Sequence, residues 1–271
     1  EFVNNRRSVE FMYYKNWQGG IEMPNLSYFK NCQFNTDNEH SDEHPFSAHA
    51  TMWGTSGVKF EGCSFENNDT RTTNPHNLGT GIGSIDASYT VKEFPYVTQN
   101  SNSIKSTFKN LYTGVLVENG TSDIPVYIYN SEFTDNQAGV IMSNSNQSAV
   151  NGNLFTVGHL ELSDGPAGHF IGVAVDNSTG FQHIGNEFNS DNGIDAPFAA
   201  IGSLLFNTGE ADNETNANIY HNISFATLTN LVNRSSPDTF GASGLTGLRF
   251  FCNHNDNQTQ QLDYTVYQDF V

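Results

Sequence analysis

Cations are scarce in this chain. Eleven Lys and Arg stand against 29 Asp and Glu, a net charge of −18 over 271 residues. Phosphate contacts need cations, so nucleic acid is excluded as a partner, and an anionic membrane surface is disfavoured. Charge of either sign is sparse, at 15%, so the polar surface is built from Asn, Ser, Thr and Gly more than from ion pairs. Cys is limited to three, too few for a disulfide framework. No run of about 18 apolar residues occurs, so no direct membrane insertion by a helix is expected. The opening stretch, EFVNNRRSVEF, lacks the apolar segment of a signal peptide. Helical spacing of apolar residues is hard to find anywhere. A surface of this kind suits an extracellular protein.

Aromatic residues are abundant, at 13%, and 21 of them are Phe. They recur in one local shape. Phe29 to Phe34 reads FKNCQF and Phe60 to Phe65 reads FEGCSF. Further copies are YIYNSEF (Tyr127 to Phe133), NGNLF (Asn151 to Phe155), HIGNEF (His183 to Phe188), IYHNISF (Ile219 to Phe225) and a decayed FFCNHN (Phe250 to Asn255). A polar turn often follows: NTDN after Phe34, ENND after Phe65, TDNQ after Phe133, NSDNG after Phe188. Period-2 alternation around each anchor reads as strand. Asn, Gly, Asp and Ser after each Phe supply turns at little steric cost.

A chain that recycles one strand and turn is a solenoid, in which each rung repeats its neighbour's environment. The reading is all-β: a parallel β-helix of about 8 to 10 coils in one domain spanning residues 1–271, with rungs about 4.8 Å apart. Phe34 and Phe65 then stack inside the tube, as do Cys32 and Cys63, which are expected as free buried thiols although a disulfide between them is within reach. Cys252 is expected in a similar slot. Unequal spacing means that bare coils alternate with coils carrying long corner loops, the candidates being Thr36 to Phe46, Glu66 to Leu78, Asp86 to Ser103, Gly158 to Gly168 and Asn207 to Asn218. A functional surface is expected along these loops.

Four runs carry a family resemblance: AHATMWGTSGVKFEGCSFEN (Ala48 to Asn67), NNRRSVEFMYY (Asn4 to Tyr14), LGTGIGSIDASYTV (Leu78 to Val91) and GLRFFCN (Gly247 to Asn253). They resemble secreted right-handed parallel β-helix proteins of Bacteroidetes, many of them type IX secretion substrates without an assigned activity. The resemblance implies a right-handed β-helix and export through that secretion machinery, and it implies no reaction. Such proteins carry a C-terminal sorting domain, and none is recognisable here; with no cap at either end, the sequence reads as a segment of a longer chain.

The loudest chemical motif is HSDEH, His40 to His44, which matches an inverted zinc-peptidase pattern. Pro45 follows directly and blocks a continuing helix, so the remaining metal reading is a loop site using His40, His44 and His49 with Glu39, Asp42 or Glu43, against the simpler one of a solvated acidic loop. No cofactor is required by any motif. Calcium would find oxygen ligands in turns such as Asp37-Asn38, Asp135-Asn136 and Asp191-Asn192, which serve equally as plain turn formers. Trp17, Trp53, Tyr89 and Tyr96 are candidates for stacking on sugar rings, although Trp53 sits in a strand-like run where core packing competes. GTGIGS (Gly79 to Ser84) has the wrong glycine spacing for a dinucleotide loop; Gly81 and Gly83 are expected to let the backbone turn between rungs.

Two functional expectations follow. One is an extracellular or outer-membrane-surface module with a structural, adhesive or glycan-binding role and no catalytic motif, its partner a glycan or cell-surface component. The alternative is a polysaccharide lyase or glycoside hydrolase on the same scaffold, whose charged side chains would converge from distant rungs.

Overall fold

The computed structural model describes residues 1–41, 46–71, 74–95, 103–121, 123–158, 169–190, 200–209, 213–230 and 247–256, together with the strand path of 264–267. Three parallel sheets run the length of these residues, two of nine strands and one of eight. The chain visits them in turn. In the second coil, Gln33–Thr36 lies in sheet I, Ala48–Trp53 in sheet II and Ser56–Glu61 in sheet III, and each pairs with the strand one coil earlier and one coil later. This is a parallel β-helix: eight complete coils and two strands of a ninth among the described residues.

The expected Phe column exists in sheet I. Phe2, Phe34, Phe65, Phe108, Phe133, Phe155, Phe188 and Tyr220 form one stack of rings, with centroids 4.6 to 4.9 Å apart and planes within 11° of parallel. Phe108 belongs to none of the motif copies read from the sequence. Near the C-terminal end the expected anchor is displaced: Tyr220 takes the slot, whereas Phe225 pairs with Ile201 in sheet II.

Two residues before each ring runs a second ladder. Cys32, Cys63, Ser106, Ser131, Asn153, Asn186, Asn218 and Asn253 follow one another up the coil. In its asparagine half, each Oδ1 accepts from the backbone N–H of the residue one coil earlier, as Asn186 does from Asn153 (3.0 Å) and Asn218 from Asn186 (2.9 Å). Each Nδ2 donates to a main-chain carbonyl, Asn186 to Val150 (2.7 Å) and Asn218 to His183 (2.8 Å). The side chains thus satisfy corner amides that the sheets leave unpaired. Cys32 and Cys63 are free thiols. Cys252 does not join them: Asn253 has the slot, and exposed Cys252 sits one residue earlier at a corner of positive φ. Where that corner has positive φ it is otherwise Asn or Gly, at Asn31, Gly62, Asn130, Gly152 and Gly185, with Ala217 (φ 53°) as the other exception.

A third column corrects the reading of GTGIGS. Gly81 and Gly83 lie within the strand Thr80–Ile85, not in a turn. Gly81 begins an interior stripe with Gly114, Gly139, Gly172 and Gly202, facing the Phe stack. A Cβ on Gly139 would come 2.6 Å from the Gly172 carbonyl and 2.7 Å from the Phe155 ring, and the others are as tight. The rings of one wall leave room only for bare backbone on the other.

Long loops leave from all three corners rather than one. Segments 37–47, 68–79, 158–169 and 190–199 join sheet I to sheet II; 12–27, 119–126 and 231–247 join sheet II to sheet III; 93–106 joins sheet III to sheet I. Sheet II is therefore flanked by insertions on both edges. The 12–27 insertion carries an antiparallel hairpin, Asn16–Gln18 with Ile21–Met23, and 213–216, which falls inside an expected loop, is a strand of sheet III.

Gly139→Ala should lose about 1 to 3 kcal/mol of stability by overpacking, whereas Ala217→Gly should gain about 1 kcal/mol by relieving a left-handed alanine. Urea denaturation of both variants against wild type measures each, and a neutral Gly139→Ala would contradict the close-packed stripe.

Candidate functional site

The residues proposed for metal binding do not come together. His40 is largely buried, its Nδ1 3.3 Å from the Asn4 carbonyl. His49 is inside the coil, where Nε2 donates to the Glu66 carbonyl at 2.9 Å and the ring packs on Phe46 at 4.5 Å. Phe46 meets the His40 ring on its other side, at 6.3 Å. His44 and Glu43 lie outside the described residues. Among the described residues no group of three or more His, Cys, Asp or Glu is placed to hold a metal ion. His49 is a core residue: Ala48 and Ala50 pair with Thr80 and Ile82, so the next coil has Gly81 in its place. Burial pushes its imidazole down to about 4. Of the turn carboxylates read for calcium, Asp37 accepts from Asn4 and the Glu39 amide, and Asp191 lies outside the described residues.

The aromatic candidates separate. Tyr89 is enclosed in the core with its hydroxyl 3.3 Å from Ser84 Oγ, and burial raises its pKa; it has no face to offer a ligand. Tyr96 lies outside the described residues. Trp17 is exposed on the hairpin, across from Glu22. Trp53 is not a core residue: it ends its strand on the outward side and is 53% exposed. In strict alternation, Ala50 and Met52 face in, and Thr51 and Trp53 face out.

Trp53 stands in a groove of about 330 Å³ on the outer face of sheet II. Coils one to four supply its lining: Arg7, Glu10 and Met12 from the first, Thr51 and Trp53 from the second, Gly83 and Ile85 from the third, Leu116 and Glu118 from the fourth. The 12–27 insertion is seated beside it, because Gly54 lies under the Tyr13 ring and Gly57 under Pro24, each too close for a side chain. Arg7 Nη1 donates to Glu10 Oε1 at 2.8 Å. The groove thus combines an open indole face, aliphatic walls, hydroxyls, two carboxylates and one guanidinium. That set suits a ligand with an apolar face and a hydroxylated rim. The sequence signal for the groove was Trp53 alone; Glu10 and Glu118 are brought in from 43 and 65 residues away and carry no motif.

No protein-family model, curated protein or solved structure matches this chain.

A second buried histidine generates a pH prediction. His183 is fully enclosed, with Nδ1 3.4 Å from Ser203 Oγ and Nε2 without a partner among the described residues. Burial lowers its pKa to about 3. Below the unfolded value of about 6.5, the unfolded chain takes up a proton that the folded chain refuses, so stability is complete above that pH and falls as the solution is acidified toward the folded value. His183→Val, which repeats Val150 of the preceding coil, should gain on wild type by about 1.4 kcal/mol per pH unit below pH ~6.5. Denaturant titrations at a series of pH values check this, and a pH-independent difference would contradict it.

Proposed function

We propose that this chain is an extracellular or cell-surface β-helix module that binds an uncharged glycan along the outer face of sheet II, and that it acts as a binding or adhesive element rather than as a catalyst. The observation that carries the reading is Trp53, half-exposed over a groove whose other walls are aliphatic and hydroxylated. Indole faces pack well against the C–H face of a sugar ring, while hydroxyls and carboxylates at the rim accept and donate to its hydroxyl groups. The net charge of −18 supports a neutral over an anionic ligand. The solenoid supports a stalk-like role, since its length presents a long flat face. The resemblance to secreted Bacteroidetes β-helix proteins supports export by the type IX machinery and a place at the outer surface. No cofactor is needed for binding of this kind; calcium in the Asp-Asn turns would add rigidity, not chemistry.

One observation favours a second reading. Glu10 and Glu118 both line the groove, and two carboxylates flanking a sugar are the minimum for glycoside hydrolysis. Against it, Glu10 already accepts from Arg7.

Trp53→Ala should weaken retention on a glycan array about fivefold or more, a loss of about 1 kcal/mol or more from stacking alone, while Glu118→Gln should retain binding. Reducing-sugar and unsaturated-product assays on the same glycans should read no turnover by wild type. Turnover that Glu118→Gln removes would replace the binding module with a hydrolase.

A further inference from the structure

Within this groove one residue is unexplained by the fold. The outer column of sheet II runs Glu10, Thr51, Gly83, Leu116, Ile141, Ala174, Leu204 and Leu228 in direct register. Every coil but the third places a side chain there. The exception is not demanded by the backbone, because Gly83 lies in extended strand without a left-handed φ. Nor do neighbours demand it: a Cβ at Gly83 meets nothing nearer than Thr80 Cγ2, at 3.9 Å. Two residues earlier the situation is the reverse, since a Cβ at Gly81 would sit 2.5 Å from the Gly114 carbonyl. Glycine inside a strand weakens it by about 0.5 to 1 kcal/mol relative to alanine, and at Gly83 no packing contact requires that loss. What the missing side chain does create is depth, because Gly83 is floor to the groove between Thr51 and Leu116, beside Trp53 and Ile85. The Thr51 hydroxyl next to it is shielded from water and has no hydrogen-bond partner among the described residues.

We infer that Gly83 is a ligand-contact position, kept bare so that a neutral hexopyranose unit stacked on Trp53 lies with its edge against the strand backbone. This rests on the glycan-binding reading and adds to it a subsite and a ligand class. A side chain at this place fills the subsite. Charge selects among sugars: Glu10 and Glu118 face the groove with only Arg7 to offset them, and Arg7 is held by Glu10. A uronate or sulfated unit meets the uncompensated carboxylate of Glu118 there, whereas the hydroxyls of a neutral unit find both acceptors and a donor.

The test uses the full chain carrying Trp17→Phe, which leaves Trp53 as the only one of two tryptophans, and follows its fluorescence. The probes are cellohexaose, mannohexaose and chitohexaose, with hexagalacturonate as the charged counterpart. Binding of at least one neutral probe is expected, with hexagalacturonate weaker. Gly83→Leu, which copies Leu116 of the next coil, should keep the melting temperature and circular dichroism while losing about tenfold or more in affinity. Should Gly83→Leu fail to fold, Gly83→Ala decides, with an intermediate loss expected. Unchanged affinity in a folded Gly83 variant, while Trp53→Ala, read by isothermal titration calorimetry, still loses binding, would overturn the subsite and leave the glycan-binding reading standing. Tighter binding of hexagalacturonate would overturn the ligand class. No binding of any neutral probe would remove the glycan-binding reading and the subsite with it.

Discussion

Face-to-face stacking of one aromatic ring per coil is the constraint from which the rest of this interior follows. Parallel strands repeat about every 4.8 Å, and a ring lying flat on the next fills that height, as the 4.6 to 4.9 Å centroid separations show. A wall so filled reaches across the bore. The opposite wall then has no volume for a side chain, and Gly81, Gly114, Gly139, Gly172 and Gly202 meet it with bare backbone. Where that wall keeps a large side chain, His49, the preceding insertion sends in Phe46 to pack against it. Where the stack ends in a hydroxyl, at Tyr220, the facing column changes from Val140 and Val173 to Ser203 and Thr227, whose hydroxyls lie 3.2 and 3.4 Å from the phenol oxygen. Walls and stack vary together because a mismatch in either volume or polarity has no water to absorb it.

The asparagine ladder solves a different problem at the same height. At the corner between sheets III and I the strands turn and their amides lose ladder partners. Ser106, at the fourth coil, accepts from the Cys63 amide (3.2 Å) and donates to the Lys92 carbonyl (2.7 Å), two bonds in all. From Asn153 onward the longer side chain does three things at once, since Asn186 accepts from the Asn153 backbone and side chain and donates to the Val150 carbonyl. The gradation from Cys through Ser to Asn along one column is thus a gradation in hydrogen-bonding capacity at a fixed position in the coil.

Much of the interior was legible because its signals are local. A Phe, two residues after a small or polar residue and before a turn, marks a rung without knowledge of any other rung, and Phe34, Phe65, Phe133, Phe155 and Phe188 were found that way. Phe108 carries the same local signal, with Ser106 two residues before it, yet was not among the copies read from the sequence, and Tyr220 escaped because Phe225, five residues on, imitates the anchor. Cys252 was misassigned by the same one-residue ambiguity, which in a strand exchanges inside and outside. That ambiguity also governs the aromatic candidates: Tyr89 and Trp53 occupy similar strand runs, and alternation alone leaves open which face each takes. The glycine stripe was invisible for another reason. Its members are 25 to 33 residues apart, and their common cause is a ring on the opposite wall, a pairing that only closure of the coil creates.

Beyond Trp53 the groove could not be read from the sequence, yet once the columns are aligned its location follows from a departure in the repeat. In a solenoid each position is sampled many times over by the same environment, so the neighbouring coils act as controls for any one residue. A Gly at 81 agrees with its controls at 114, 139, 172 and 202 and with the ring it faces. A Gly at 83 disagrees with Leu116, Ile141 and Leu204, although space and backbone both permit a side chain. Packing explains the first and is silent on the second. The second lies on the sheet that insertions flank on both edges, next to the one tryptophan that turns outward from a strand of the coil. A residue that departs from its column without a packing cause, at the place where loops and an exposed indole converge, is the observation on which the proposed ligand subsite rests.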